Sequence, residues 1–311
     1  MKRLLIFICI VIFLIGGVIL TIGISNSSKN KNIITKEYEV DDFNNLNIDI
    51  STANLAIKKA EDGKNKVICV EREKEYHEVS VKNNTLSVKS IDKKRWYERI
   101  FNFDFSEMSV TIYLKDNNYN ELNIDISTGN TSIDKGFLFE SLHFEGSTGN
   151  VEILSNVNTL VDMTLSTGNI KLQDMNTKNI ELEASTGNIR LNNVNVEEDI
   201  RINVSTGKIY LDNVTAVNGT LESSTGKMFL TNAILSGNLN IKATTGDIKF
   251  DGSDAANISV KTSTGDVTGS ILTDKMYSCK TSTGKIQVPD SIPGGTFKIE
   301  TSTGDIIIQI K

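Results

Sequence analysis

The sequence predicts an all-β protein, a right-handed parallel β-helix or β-solenoid of about ten coils of 19–20 residues, with an N-terminal transmembrane helix. Three observations carry this. Ser-Thr-Gly recurs with its glycines at Gly129, Gly149, Gly168, Gly187, Gly207, Gly226, Gly246, Gly265, Gly284 and Gly304, at steps of 19 or 20 residues, one copy reading Thr-Thr-Gly. Apolar residues alternate on either side of each glycine. The chain also opens on a long uncharged run.

Met1-Lys2-Arg3 is positive, and residues 4–24 then carry no charge. Such a run is long enough to cross a bilayer core of roughly 30 Å as a helix. No small-residue cleavage site follows, so the segment reads as an uncleaved signal anchor rather than a signal peptide. The basic end stays in the cytoplasm, which puts the rest of the chain outside the cell membrane. Residues 25–36 form a polar tether.

Residues 37–120 read as degenerate coils and a cap. Ser51-Thr52-Ala53-Asn54 stands where Ser-Thr-Gly-Asn is expected, and strands are predicted over 66–72, 77–82, 85–90 and 108–115. His77 is expected on an outward face. The insert at 92–107 holds Lys93, Lys94, Arg95, Trp96, Tyr97, Phe101 and Phe103. Two readings stand: a lid over the open end of the array, or a basic-aromatic surface that touches a lipid surface or an envelope component.

Residues 121–311 are the regular array. Five residues before each glycine stands an apolar side chain (Ile124, Phe144, Met163, Leu182, Ile202 and onward). Two residues after it stands another in nine coils of ten, Thr131 being the exception. Period-two alternation marks strands with one buried face. Each repeat therefore holds two strands and room for a third, joined at a corner where glycine accepts a positive φ. A corner chemistry repeated ten times favours parallel stacking over a sandwich, whose turns occupy unlike places. Asp305–Lys311 is expected to end the chain on an open edge, a place for a partner protein or for end-to-end self-association.

Charge and chemistry narrow the function. Residues 121–311 hold 15 Lys and Arg against 23 Asp and Glu, a net of −8, which disfavours nucleic acid as a partner. Cys69 and Cys279 lie too far apart along an elongated array to pair and read as buried apolar side chains. His77 and His143 are the only histidines, so the repeated Ser-Thr-Gly serines read as structural rather than as nucleophiles. No catalytic, cofactor or metal site is expected, although Asp247, Asp266 and Asp305 follow corner glycines and could in principle take Ca²⁺.

The Ser-Thr-Gly-Asn/Asp coils, the leading strand Phe43…Leu46-x-Ile48-x-Ile50 and the strand Val110-Thr111-Ile112-Tyr113-Leu114 resemble a β-strand-repeat domain of unknown function that carries an adhesin label. The family is common in Firmicutes, and the resemblance covers about residues 37–311. It implies a membrane-anchored extracytoplasmic protein, an adhesin or an accessory of the envelope-stress response like the LiaG- and LiaX-like proteins. It implies no catalytic residues. The expected function is thus a non-enzymatic binding solenoid. A self-assembling bactofilin-like structural protein is the alternative, and a polysaccharide-active enzyme of the β-helix type is a weaker one.

Overall fold

The computed structural model describes residues 33–95 and 107–311. The expected transmembrane helix, residues 25–32 of the expected tether, and Trp96, Tyr97, Phe101 and Phe103 of the insert lie outside the described residues, whereas residues 33–36, expected as tether, belong to the strand Ile33–Glu39, which pairs with Lys66–Arg72. The described residues form 27 strands joined in one continuous sheet, and no described helix is long and apolar enough to cross a membrane.

A central coil illustrates the array. Asp199–Thr206 alternates exposed and buried along its length, with Ile200, Ile202 and Val204 turned inward. It lies parallel between its equivalents in the flanking coils, Ile202 opposite Leu182 and Leu221. After the glycine corner, Ile209–Ala216 stacks in the same way, Ile209 between Ile189 and Met228. Like thus stacks on like, and the core is a set of apolar columns running the length of the array.

The corner glycines take φ of 139–157°. A Cβ built on any of the ten would stand 1.6–2.1 Å from the carbonyl oxygen of the adjoining coil's corner residue, a glycine in nine cases and Ala53 beside Gly129. The motif persists because successive corners touch backbone to backbone, which is a stronger demand than the turn alone makes.

A second corner was not read from the sequence. Asp174, Asn193, Asn213 and Asn232, each six residues after a corner glycine, adopt left-handed φ of 49–53°. Asn and Asp tolerate this region best among non-glycine residues. Their side chains form a ladder: the Asn193 amide donates to Asp174 at 2.9 Å, Asn213 to Asn193 at 3.1 Å, and Asn232 to Asn213 at 3.1 Å. The chain bends here and runs on into a third short side, where Val194 lies opposite Val214. The coil is therefore three-sided.

At the N-terminal end the direction reverses. Thr85–Asp92 and Ser109–Leu114 still stack parallel on the coil of Asn45–Lys59. Glu75–Lys82 then pairs antiparallel with Thr85–Asp92 through a tight turn whose Asn83 and Asn84 both have positive φ, the chemistry of a two-residue hairpin. Lys66–Arg72 pairs antiparallel with Ser109–Leu114, and Ile33–Glu39 closes that side antiparallel on Lys66–Arg72. These antiparallel strands cap the end. The insert leaves from the corner edge beside them.

The C-terminal end departs from chain order. Gly295–Thr303 pairs with Asp254–Thr264 on one side and Lys275–Thr283 on the other. Ile306–Ile310 likewise lies between Val267–Ile271 and Ile286–Gln287. The last coil in sequence is the penultimate one in space. Asp305–Lys311 is therefore not the open edge that chain order suggests. That edge belongs to Lys275–Thr283 and Ile286–Gln287, where Met276 and Ile286 are exposed and Cys279 is half-buried. Gly294-Gly295 permits the insertion: a Cβ on Gly295 would lie 1.8 Å from the Ala256 carbonyl.

Candidate functional site

Sites in a repeat protein are sought where the repeat fails. In a regular coil the chain passes from Thr206 to Ile209 through one tight corner. Between Asp92 and Ser109 the same passage takes the whole insert. Its described base is fastened to the cap. The Lys93 ammonium lies 4.9 Å from the centroid of the Tyr76 ring. The Lys94 ammonium sits 2.6 Å from Glu75 Oε2, which also receives Arg72 at 2.7 Å, and the Lys94 amide donates to Asp92. Arg95 is engaged as well. Of the expected basic surface, then, Lys93 and Lys94 are anchoring residues against the strand Glu75–Lys82. Beside them runs a groove of about 380 Å³ bounded by Ala53, Asn54, Arg72, Glu107, Met108 and Gly129.

A polar cluster lies inside the cap. Cys69 and Glu71 alternate inward from Lys66–Arg72, and His77 faces them from Glu75–Lys82. His77 is 3% exposed, which corrects the outward placement expected for it. The reason is the reversal of direction: the hairpin folds His77 over the core end instead of continuing a coil. Glu71 Oε2 accepts the His77 backbone N–H at 2.8 Å and stands 3.3 Å from the ring Nδ1. Its Oε1 faces the Lys36 ammonium at 2.6 Å. Burial lowers the His77 pKa despite Glu71, and burial pushes the Cys69 thiol up to about 12. The cluster was legible only as Val67, Cys69 and Glu71 at alternate positions, which commits Glu71 to the interior.

The ten corner glycines line one edge as a structural column. Next to it runs a ladder in which Asn130, Asn150 and Asn169 each accept the following coil's corner amide at 2.9–3.0 Å. The inserted last coil brings Asp247, Asp266 and Asp305 into consecutive layers, although the Lys285 coil separates Asp266 from Asp305 in sequence. The Asp266 amide donates to Asp247, Asp305 to Asp266, and Lys285 to Asp305. Each carboxylate is thus already an acceptor in the ladder. On an outer sheet face, His143 stands 2.9 Å from Asp162 and 3.3 Å from Glu145, with both ring nitrogens facing carboxylates.

Fold and site together define a three-sided β-solenoid with a capped N-terminal end, an exposed C-terminal coil and one elaborated corner. Residues 43–309 match the Toastrack family, DUF4097, and the chain belongs to it. Among solved structures it is similar to a putative lipid binding protein from Parabacteroides distasonis, at TM-score 0.50 and 18% identity over 76% of this chain and 98% of the other. A putative adhesin from Parabacteroides merdae aligns at TM-score 0.49 and 18% identity over 76% and 97%. One from Bacteroides fragilis aligns at 0.43 and 16% over 90% and 98%. No curated protein matches the sequence.

Proposed function

We propose that the chain is a non-enzymatic, membrane-anchored β-solenoid that acts outside the cell. The repeats are its scaffold, and the basic-aromatic insert binds an envelope component, in the manner of an adhesin or an envelope-stress accessory. One observation carries this reading. The insert leaves the array at the capped end, where the first described strand, Ile33–Glu39, also lies. An anchor over residues 4–24 would hold that end within about 30 Å of the bilayer, the reach of an extended eight-residue tether. The aromatics of the insert would then meet headgroups, with Lys93 and Lys94 fixing its base to the cap, while the acidic array points away.

The filament alternative requires the two ends to continue one ladder. The C-terminal coil offers parallel strands, whereas the N-terminal end is antiparallel and carries Glu37, Glu39, Glu75 and Glu78. That mismatch counts against head-to-tail growth.

The test is co-sedimentation of residues 33–311, which contain the whole core from Phe43 to Ile308, with anionic and with zwitterionic phospholipid vesicles. A second protein has residues 96–106 replaced by a Gly-Ser linker. The wild type should bind vesicles, and the replacement, which removes Trp96, Tyr97, Phe101, Phe103 and Phe105, should weaken binding by at least about tenfold. Equal binding by both proteins, or none by the wild type, would refute the role given to the insert.

A further inference from the structure

We propose that Cys69, Glu71 and His77 form a buried site for a single zinc-type divalent cation within the N-terminal cap. One ligand atom from each lies within 4.8 Å of the others. The 3.3 Å between His77 Nδ1 and Glu71 Oε2 matches the edge of a tetrahedron with metal bonds of about 2.0–2.1 Å. Thiolate, imidazole and carboxylate together are the donor set of zinc, cobalt and their neighbours, not of calcium or magnesium, which take oxygen.

The three ligands come from strands on opposite sides of the core end. Cys69 and Glu71 belong to the side of Ser109–Leu114, and His77 to the side of Thr85–Asp92. An ion between them would reinforce the turn and the Arg72–Glu75 pair that already join the two strands. The three donors leave the fourth position of a tetrahedral ion to a water. Lys36 holds Glu71 Oε1, and Oε2 faces His77, accepting its backbone N–H and standing 3.3 Å from Nδ1. On binding, the Cys69 S–H bond breaks, its proton leaves to solvent and a sulfur–metal bond forms, with no change of oxidation state.

The full chain, stripped of metal with a chelator, is titrated with Co(II) alone and with Zn(II) alone. One equivalent of Co(II) should bring up a thiolate-to-cobalt charge-transfer band. Zn(II) should abolish that band by displacement and raise the melting temperature reversibly. Cys69→Ser should lose the band. His77→Gln should weaken binding by at least about tenfold. Lys36→Met leaves all three ligands in place and should retain binding, so a folded Lys36→Met without the band would count against the assignment. If the wild-type chain gives neither a band nor a chelator-reversible shift in melting temperature, the assignment is wrong, whether or not the variants fold. A band that survives in folded Cys69→Ser would also refute it.

Discussion

The corner amide of Gly265 donates to the carbonyl of Thr303 at 2.9 Å, where the period alone would pair it with Thr283. The Gly304 amide in turn donates to Thr283. The chain skips a layer, lays down Lys275–Gln287 at the end, and returns to fill the gap. A buried ion pair holds the skipping segment, Lys275 to Asp254 at 2.8 Å, with the Thr273 hydroxyl donating to the same carboxylate.

This layer order is open to cross-linking. Ser259 lies opposite Lys298, and Lys298 lies opposite Ser278. The pair Ser259→Cys with Lys298→Cys should form a disulfide under mild oxidation. Ser259→Cys with Ser278→Cys should not, because two strand spacings of ~4.8 Å exceed the ~7 Å that a disulfide can bridge. The opposite outcome would restore chain order.

The ion pair beneath the skip should be costly to break one side at a time. Lys275→Met leaves the Asp254 carboxylate buried without a cation, with an expected loss of about 3–5 kcal/mol. Lys275→Met combined with Asp254→Leu should recover most of that loss. Urea midpoints of the two variants decide it, and a double variant no more stable than the single would contradict the pairing.

Two glycine substitutions separate backbone conformation from backbone contact. Gly136 has φ of 99° with open space around its Cβ position, so Gly136→Ala should cost about 1 kcal/mol. Gly207 has φ of 150° and the Gly187 carbonyl oxygen 1.8 Å from that position. Gly207→Ala should cost about 3 kcal/mol or more, because stacked coils must separate. Equal losses in thermal or urea unfolding would mean that the corner is held by conformation alone.

Acid should weaken the array through its ladders. The Lys227 ammonium holds the Asp247 carboxyl below its ordinary value of 3.8, and the Asn193 and Gln173 amides do the same for Asp174. Depressed carboxyl values give stability that is complete above the ordinary value and is lost as pH falls through the lowered one. The lowered His77 value should already reduce the melting temperature as pH falls below 6.5, and these carboxylates should add a further drop below about pH 4. Asp247→Asn, which keeps an oxygen for the Asp266 amide, should make the drop shallower. An unchanged acid limb would remove that pair from the account.

The regular array was legible because one physical demand recurs in every coil. The columns headed by Leu182 and Ile202 before the corner, and by Ile189 and Ile209 after it, are all buried as their alternation requires. The period also chose parallel stacking. The layer order was not legible, because the corners at Gly284 and Gly304 are chemically alike and either could sit on Gly265. The second corner left a periodic trace in Asp174, Asn193, Asn213 and Asn232, which pass for ordinary surface polar residues until their φ is known. His77 escaped because its burial depends on a reversal of strand direction that nothing in its own neighbourhood encodes.

The functional reading rests on the solenoid being held outside the cell by residues 1–32, and one measurement addresses that directly. Lys242 is exposed on the outer face of the array, so Lys242→Cys provides a surface thiol. A membrane-impermeant maleimide applied to intact cells should label it, and the labelled chain should stay with the membranes through alkaline carbonate extraction. Labelling only after lysis, or release of the chain by carbonate, would contradict an anchored extracytoplasmic protein.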